Sequence, residues 1–158
     1  MPGIDECLLT VMALPGARGA AVVDWTSGLP LGTIGAAVSG DHEATAADTA
    51  ELARMAAEQL TLTAPDDTAD TATGADVGAG SGTGVAQPAD TAAREAPPVT
   101  LPVEDVIVTA RDGYHLLRYV ETAFDSSVLL HLWLDRREGN LALARLRLGE
   151  LARALVLD

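Results

Sequence analysis

The sequence contains no lysine, one cysteine and one phenylalanine, with two tryptophans and two tyrosines as its only other aromatic residues. Its ten basic side chains are all arginines, set against 23 Asp and Glu for a formal net charge of −13. That balance excludes a sequence-independent grip on nucleic acid, which needs basic groups to displace counterions from phosphates. It disfavours anionic membrane surfaces for the same reason. A lone Cys7 rules out an internal disulfide and a cysteine-built zinc site, which fits a reducing cytoplasm, and a buried thiol serves as a small apolar group. No apolar run reaches the roughly 18 to 20 residues a membrane span requires, since the longest, around residues 128–134, is interrupted by His131. Asp5 and Glu6 stand where a signal peptide would be basic, so export is not expected and a cytoplasmic location is. The bias towards Ala, Gly, Thr and Arg is that of a GC-rich bacterial coding sequence.

What is present fits one domain, because 158 residues build a single hydrophobic core. Ile4, Leu8, Val11 and Met12 fall on one helical stripe that ends at Pro15-Gly16. Residues 17–23 and 29–34 read as strands joined by the turn residues Asp24-Trp25-Thr26-Ser27-Gly28. Pro30 lacks an N–H, which places the second strand at a sheet edge or makes it begin late. Asp41 is an expected N-cap for a second helix over residues 44–60, with Glu43 near its positive end. The apolar face of that helix is almost all alanine: Ala46, Ala47, Ala50, Ala53 and Ala57. Such a face permits close approach to a sheet or to a second copy.

Residues 61–100 scatter aspartates and prolines among Thr, Ala and Gly without an aromatic residue, and they are expected to form a disordered acidic insertion. Gly74 to Gly84 lacks the spacing, the lysine and the strand-to-helix context of a phosphate loop, so no nucleotide cofactor is expected. Beyond it, residues 103–109, 114–121 and 127–134 read as a three-strand meander, and the last two runs lack clean alternation, so both of their faces should be covered. Leu141, Ala144, Leu148, Leu151, Ala152 and Leu155 then form a closing helical stripe capped by Asn140. The implied architecture is α+β in the order αββαβββα, a five-stranded antiparallel sheet flanked by helices on both faces, built from residues 1–60 and 101–158.

Catalytic chemistry finds little support. His42, His115 and His131 lie in three different elements without metal-ligand spacing, Ser27 and Ser39 lack a nucleophile-elbow context, and sequential acidic pairs such as Glu104-Asp105 diverge in regular structure. Neither a catalytic residue nor a metal or cofactor is expected. Trp25, Arg111, Tyr114 and Arg118 are instead candidate partner contacts, because Trp, Tyr and Arg dominate binding hot spots.

Three stretches in this order resemble the Roadblock family of dynein light-chain relatives and bacterial GTPase regulators. They are Glu6-Cys7-Leu8-Leu9 running to Pro15-Gly16-Ala17-Arg18-Gly19-Ala20-Ala21-Val22-Val23-Asp24, then Glu104-Asp105-Val106-Ile107-Val108 with Tyr114-His115-Leu116-Leu117-Arg118, and finally Leu132-Trp133-Leu134-Asp135-Arg136 with Asn140-Leu141-Ala142-Leu143-Ala144-Arg145. The sequence departs from the family pattern in its long insertion and in Trp25 at the hairpin. The resemblance implies a Roadblock/profilin-like fold and a homodimer paired through the third strand and second helix, here Val106, Ile107 and Val108 with Ala46, Ala50 and Ala53. It also implies a Ras-like small GTPase as partner, whose nucleotide cycle a non-catalytic scaffold would modulate. The alternatives are a small-molecule sensor with a pocket against the sheet, and a structural adaptor.

Overall fold

Two stretches of chain far apart in sequence lie side by side in one sheet. The computed structural model describes residues 3–58, 101, 103–121 and 127–155, and the expected insertion over 61–100 falls outside them. The elements are α1 (Ile4–Met12), β1 (Ala17–Asp24), β2 (Leu29–Gly35), α2 (His42–Glu58), β3 (Asp105–Thr109), β4 (Gly113–Val120), β5 (Val128–Asp135) and α3 (Leu141–Ala154). The sheet runs β2-β1-β5-β4-β3, with every neighbouring pair antiparallel. The expected α+β order is therefore realised.

β5 occupies the centre because it alone is apolar on both faces along nearly its whole length, with Val128 through Leu134 all buried. One face carries Val128, Leu130, Leu132 and Leu134, packed with Val22 and Leu116 beneath Cys7, Leu8 and Val11 of α1 and Ala144, Leu148 and Ala152 of α3. The other carries Leu129, with Leu117 and Tyr119 of β4, beneath Ala53 of α2. Cys7 is wholly buried, and burial pushes its thiol above the usual range, as suits an inert apolar group.

Local chemistry sets the element ends. Asp41 Oδ1 accepts from the Glu43 backbone N–H at 2.9 Å, so α2 begins at His42, two residues before the expected start. Asn140 caps α3 by accepting from the Leu143 N–H at 3.0 Å. In the β1–β2 turn the Asp24 carboxylate accepts from the Thr26 hydroxyl at 2.7 Å and its N–H at 3.0 Å, and these bonds, the hydroxyl's first, hold its pKa down. Gly16, at φ 79°, closes the turn after α1 and accepts from the Asp135 N–H at 2.7 Å. A Cβ there would lie 2.5 Å from the Gly139 nitrogen, so this glycine lets two turns touch.

α2 contributes almost no side-chain volume to its face of the sheet. Ala46, Ala50 and Ala53 are each no more than 2% exposed, against Ala21, Val23, Leu117 and Leu129. Close approach brings the helix within reach of a polar anchor, the Tyr119 hydroxyl donating to the Ala53 carbonyl. Burial raises that phenol to about 12, so it stays a donor throughout the physiological range. Tyr119→Phe is expected to cost about 1 kcal/mol of stability. Urea denaturation would read this as a lower midpoint at unchanged slope.

Candidate functional site

The two ends of the sheet are not equivalent. β2 has Pro30, which can donate no ladder hydrogen bond, and its register with β1 slips between Val22 and Val23. Both features blunt an edge, and Pro30 sits where its missing donor is tolerated. Among the described residues β3 pairs only with β4, from Asp105↔Arg118 to Thr109↔Tyr114; it contains no proline or bulge and ends the sheet. Alternate backbone N–H and C=O groups of β3 therefore point outward from a short apolar strand, Asp105-Val106-Ile107-Val108-Thr109.

Beside this edge α2 stands away from the sheet. Over β1 the alanines bring it close, but towards β3 a cavity of about 260 Å³ opens, lined by Thr45, Thr49 and Leu52 of α2 and by Val108, His115 and His131 of the strands. Leu52 and Met55, one turn apart on α2, are 37% and 61% exposed, and Val38 in the β2–α2 loop is 44% exposed. Three uncovered apolar side chains thus lie on the α2 side of the molecule, where Leu52 and Val38 share the cavity wall with Val108 of the free edge.

The cavity floor holds a paired titratable group. His115 and His131 are diagonal cross-strand neighbours on β4 and β5, with Nδ1 of the first 3.1 Å from Nε2 of the second. One nitrogen must donate and the other accept, so the pair is satisfied with both rings neutral. The rings stack at 5.3 Å, His115 stacks on Trp133 at 6.2 Å, and the Arg18 guanidinium sits 4.0 Å above the Trp133 ring. Burial depresses both histidines. For His115 the carboxylate of Asp112 partly opposes it, whereas His131, 6% exposed and next to His115, falls to about 4. Among the described residues no three His, Cys, Asp or Glu side chains lie where they could share a metal ion.

The residues singled out in the sequence fall in different places. Val106, Ile107 and Val108 lie on the free edge. Ala46, Ala50 and Ala53 pack against the chain's own sheet, where residues that small let α2 lie close to it. The exposed apolar stripe of α2 is Leu52 and Met55, which the sequence reading missed. Their i, i+3 spacing on the side of the helix away from the alanines was the available signal.

The four candidate partner contacts do not assemble into one site. Trp25 is half-buried, edge-on to Tyr119 at 6.2 Å on the α2 face, and its carbonyl accepts from Arg54 at 3.2 Å. Tyr114 and Arg118 lie on the opposite face, where Tyr114 packs against the core beneath Arg136 and Arg118 is half-buried near α3. Arg111 is exposed in the β3–β4 turn. Tyr114 and Arg118, an even number of residues apart on β4, share a face, while Trp25 in the β1–β2 turn folds over the other.

At the level of sequence the chain matches no family model and no curated protein. Solved structures of the same shape do match. Myxococcus xanthus MglB superposes with a TM-score of 0.61 at 15% identity, over 94% of this chain and 81% of that one. A Roadblock/LC7 domain from Streptomyces avermitilis gives 0.60 at 12% identity, over 97% and 94% of the two chains. An MglB structure with a tetrameric arrangement gives 0.59 at 14% identity, over 96% and 83%. The chain has the Roadblock fold.

The His pair carries a signed pH dependence. A histidine whose folded pKa is depressed binds its proton first in the unfolded chain, so stability is lost as pH falls from about 6.5 towards about 4. The full loss is on the order of 3 kcal/mol. Chemical denaturation of the wild type between pH 7 and 5 should show this fall. In His131→Leu the same interval should be flatter, whereas an equally steep fall in the variant would place the proton uptake elsewhere.

Proposed function

We propose that this chain is a non-catalytic regulatory protein that pairs with a second copy and binds a Ras-like small GTPase, altering its nucleotide cycle in the cytoplasm. The observation that supports the reading is a short apolar sheet edge with no strand partner among the described residues, flanked by the exposed Leu52 and Met55 of α2. Pairing of β3 with β3 of a second copy would satisfy the outward backbone groups of residues 105–109 and continue the sheet across a two-fold axis. It would bring α2 towards its symmetry mate, so that Leu52, Met55 and the mouth of the cavity lose contact with water. Assembly of this fold with copies of itself has a parallel in the MglB structure of tetrameric arrangement.

The GTPase half of the proposal draws on the resemblance of the three quoted stretches to bacterial GTPase regulators, together with the shared fold. No side chain here is asked to attack phosphate. A scaffold of this kind acts by holding the mobile loops of the GTPase in one arrangement, which lowers the entropic part of the barrier to hydrolysis or alters the rate of nucleotide release. Arg111 in the β3–β4 turn is exposed for such a contact. The cavity under α2 favours a second reading, a small-molecule sensor, but its 260 Å³ falls below the roughly 300 to 1,000 Å³ of typical ligand sites. The size suits a recess filled by apolar side chains of a second copy.

Light scattering on the purified chain at about 20 to 50 μM is expected to give twice its 16.2 kDa mass. Leu52→Asp with Met55→Asp should give the single mass with an unchanged far-UV spectrum, because desolvating two carboxylates at a core position of an interface costs several kcal/mol. A stable monomeric wild type removes the pairing. The GTPase half is tested separately by titrating the chain into a purified bacterial Ras-like small GTPase. Binding with an altered rate of GTP hydrolysis or of fluorescent GDP release is expected, and the absence of both removes that half for the pair.

A further inference from the structure

On the face of the sheet opposite α2, a trough of about 790 Å³ runs between α3 and the edge strand β3. One wall is a second stripe of α3, Ala142, Arg145, Leu146, Gly149 and Arg153, spaced i, i+3, i+4, i+7 and i+11 and distinct from the core stripe Ala144, Leu148 and Ala152. The floor and far wall come from Arg118 and Ile107. Ile107 is 37% and Leu146 58% exposed, so the apolar part is open to solvent.

The charges are unusual for this molecule. Three of its ten basic side chains, Arg118, Arg145 and Arg153, line one trough on a chain of net charge −13. Two carboxylates stand at the rim. Asp105 accepts from Arg145 Nε at 2.6 Å, whereas Arg118 lies 3.9 Å from both Glu104 and Asp105, beyond hydrogen-bond range. Its Nε is buried with no hydrogen-bond partner among the described residues. The guanidinium rests over Gly149, where an added Cβ would come 3.7 Å from Arg118 Cζ.

We infer that this trough binds an acidic amphipathic helix of a partner protein, its carboxylates meeting Arg145, Arg118 and Arg153 and its apolar side chains meeting Ile107 and Leu146. The small residues Ala142 and Gly149 let a second helix approach α3 closely. Arg145 and Arg153 are about 12 Å apart along the helix axis, matching carboxylates two turns apart on a partner helix. Nucleic acid and anionic lipid headgroups would leave the apolar walls Ile107 and Leu146 without a partner, whereas a helix in a groove uses both the apolar and the charged contacts. The inference does not depend on β3 pairing or on the GTPase.

Fluorescence anisotropy on the full chain tests it. The probe is a labelled helical peptide of about 16 residues, with leucines on one face flanked by glutamates two turns apart, and its control has every Glu replaced by Lys. The acidic peptide should bind and the lysine peptide should not. Binding should weaken about tenfold in Arg153→Glu and again in Leu146→Ser, and should fall as salt rises. Both substituted positions are exposed, and far-UV circular dichroism checks folding. Equal binding of the two peptides, full binding by folded Arg153→Glu, or no binding at millimolar peptide overturns the inference. So does a loss of self-association in Arg153→Glu alone, which would assign the trough to a second copy, or capture of the chain by phosphatidylserine vesicles that this variant abolishes.

Discussion

Pairing of β1 with β5 joins the two parts of the chain. Ala17–Asp24 from the first part aligns against Val128–Asp135 from the second, with Val22 opposite Leu130 and Ala20 opposite Leu132. Without that ladder the first two strands would be an isolated hairpin, marginal in water, and the later meander would leave the edge of β5 bare. With it, β5 is enclosed on both faces and α1, α2 and α3 each gain a surface to cover. The closure joins residues more than a hundred positions apart, a non-local contact whose entropy must be offset by the burial of β5.

The same ladder decides where the molecule is finished and where it is open. Once β1 and β5 lie at the middle, β2 and β3 become the two edges, and their sequences treat that position differently. β2 carries a proline and a register slip, which protect it within one chain, while β3 offers a regular, apolar rim. α2 is drawn onto β1 by alanines and stands off from β3, so the cavity, the paired histidines and the exposed Leu52 and Met55 all gather beside that rim. α3 rests over β4 and β5 and reaches β3 through the Arg145–Asp105 ion pair, leaving the arginine-lined trough on the other face. The open edge is thus flanked by a recess on each face of the sheet.

Electrostatics sharpen this division. A chain of net charge −13 repels itself unless its few cations are placed with care, and several of the arginines here stand on aromatic rings or beside carboxylates: Arg18 over Trp133, Arg136 over Tyr114, and Arg118 and Arg145 beside Asp105 and Glu104. The His115–His131 pair, half-buried at His115 and buried at His131, adds no charge at neutral pH, because burial favours the neutral rings. It leaves the α2 cavity a largely apolar recess with a proton-sensitive floor.

Much of the fold was legible in the residues. The spacing of Ile4, Leu8 and Val11, the caps Asp41 and Asn140, the turn at Asp24 to Gly28 and the edge position of Pro30 all follow from backbone geometry that a residue imposes on its neighbours, whatever lies elsewhere in the chain. The lack of alternation in 128–134 likewise marked a strand covered on both faces. Tertiary structure alone decided which surfaces remained. Ala46, Ala50 and Ala53 carry the small side chains of an interface, but whether a small face meets its own sheet or another copy depends on distances no local pattern encodes. Trp25, Arg111, Tyr114 and Arg118 look alike as contact residues, yet the fold places Trp25 on the α2 face and Tyr114 and Arg118 on the other, and His115 met His131 only through the β4–β5 register. Local chemistry determines the elements, and the pairing of distant strands determines which of their side chains face one another, because contact across a sheet is a property of register and not of sequence distance.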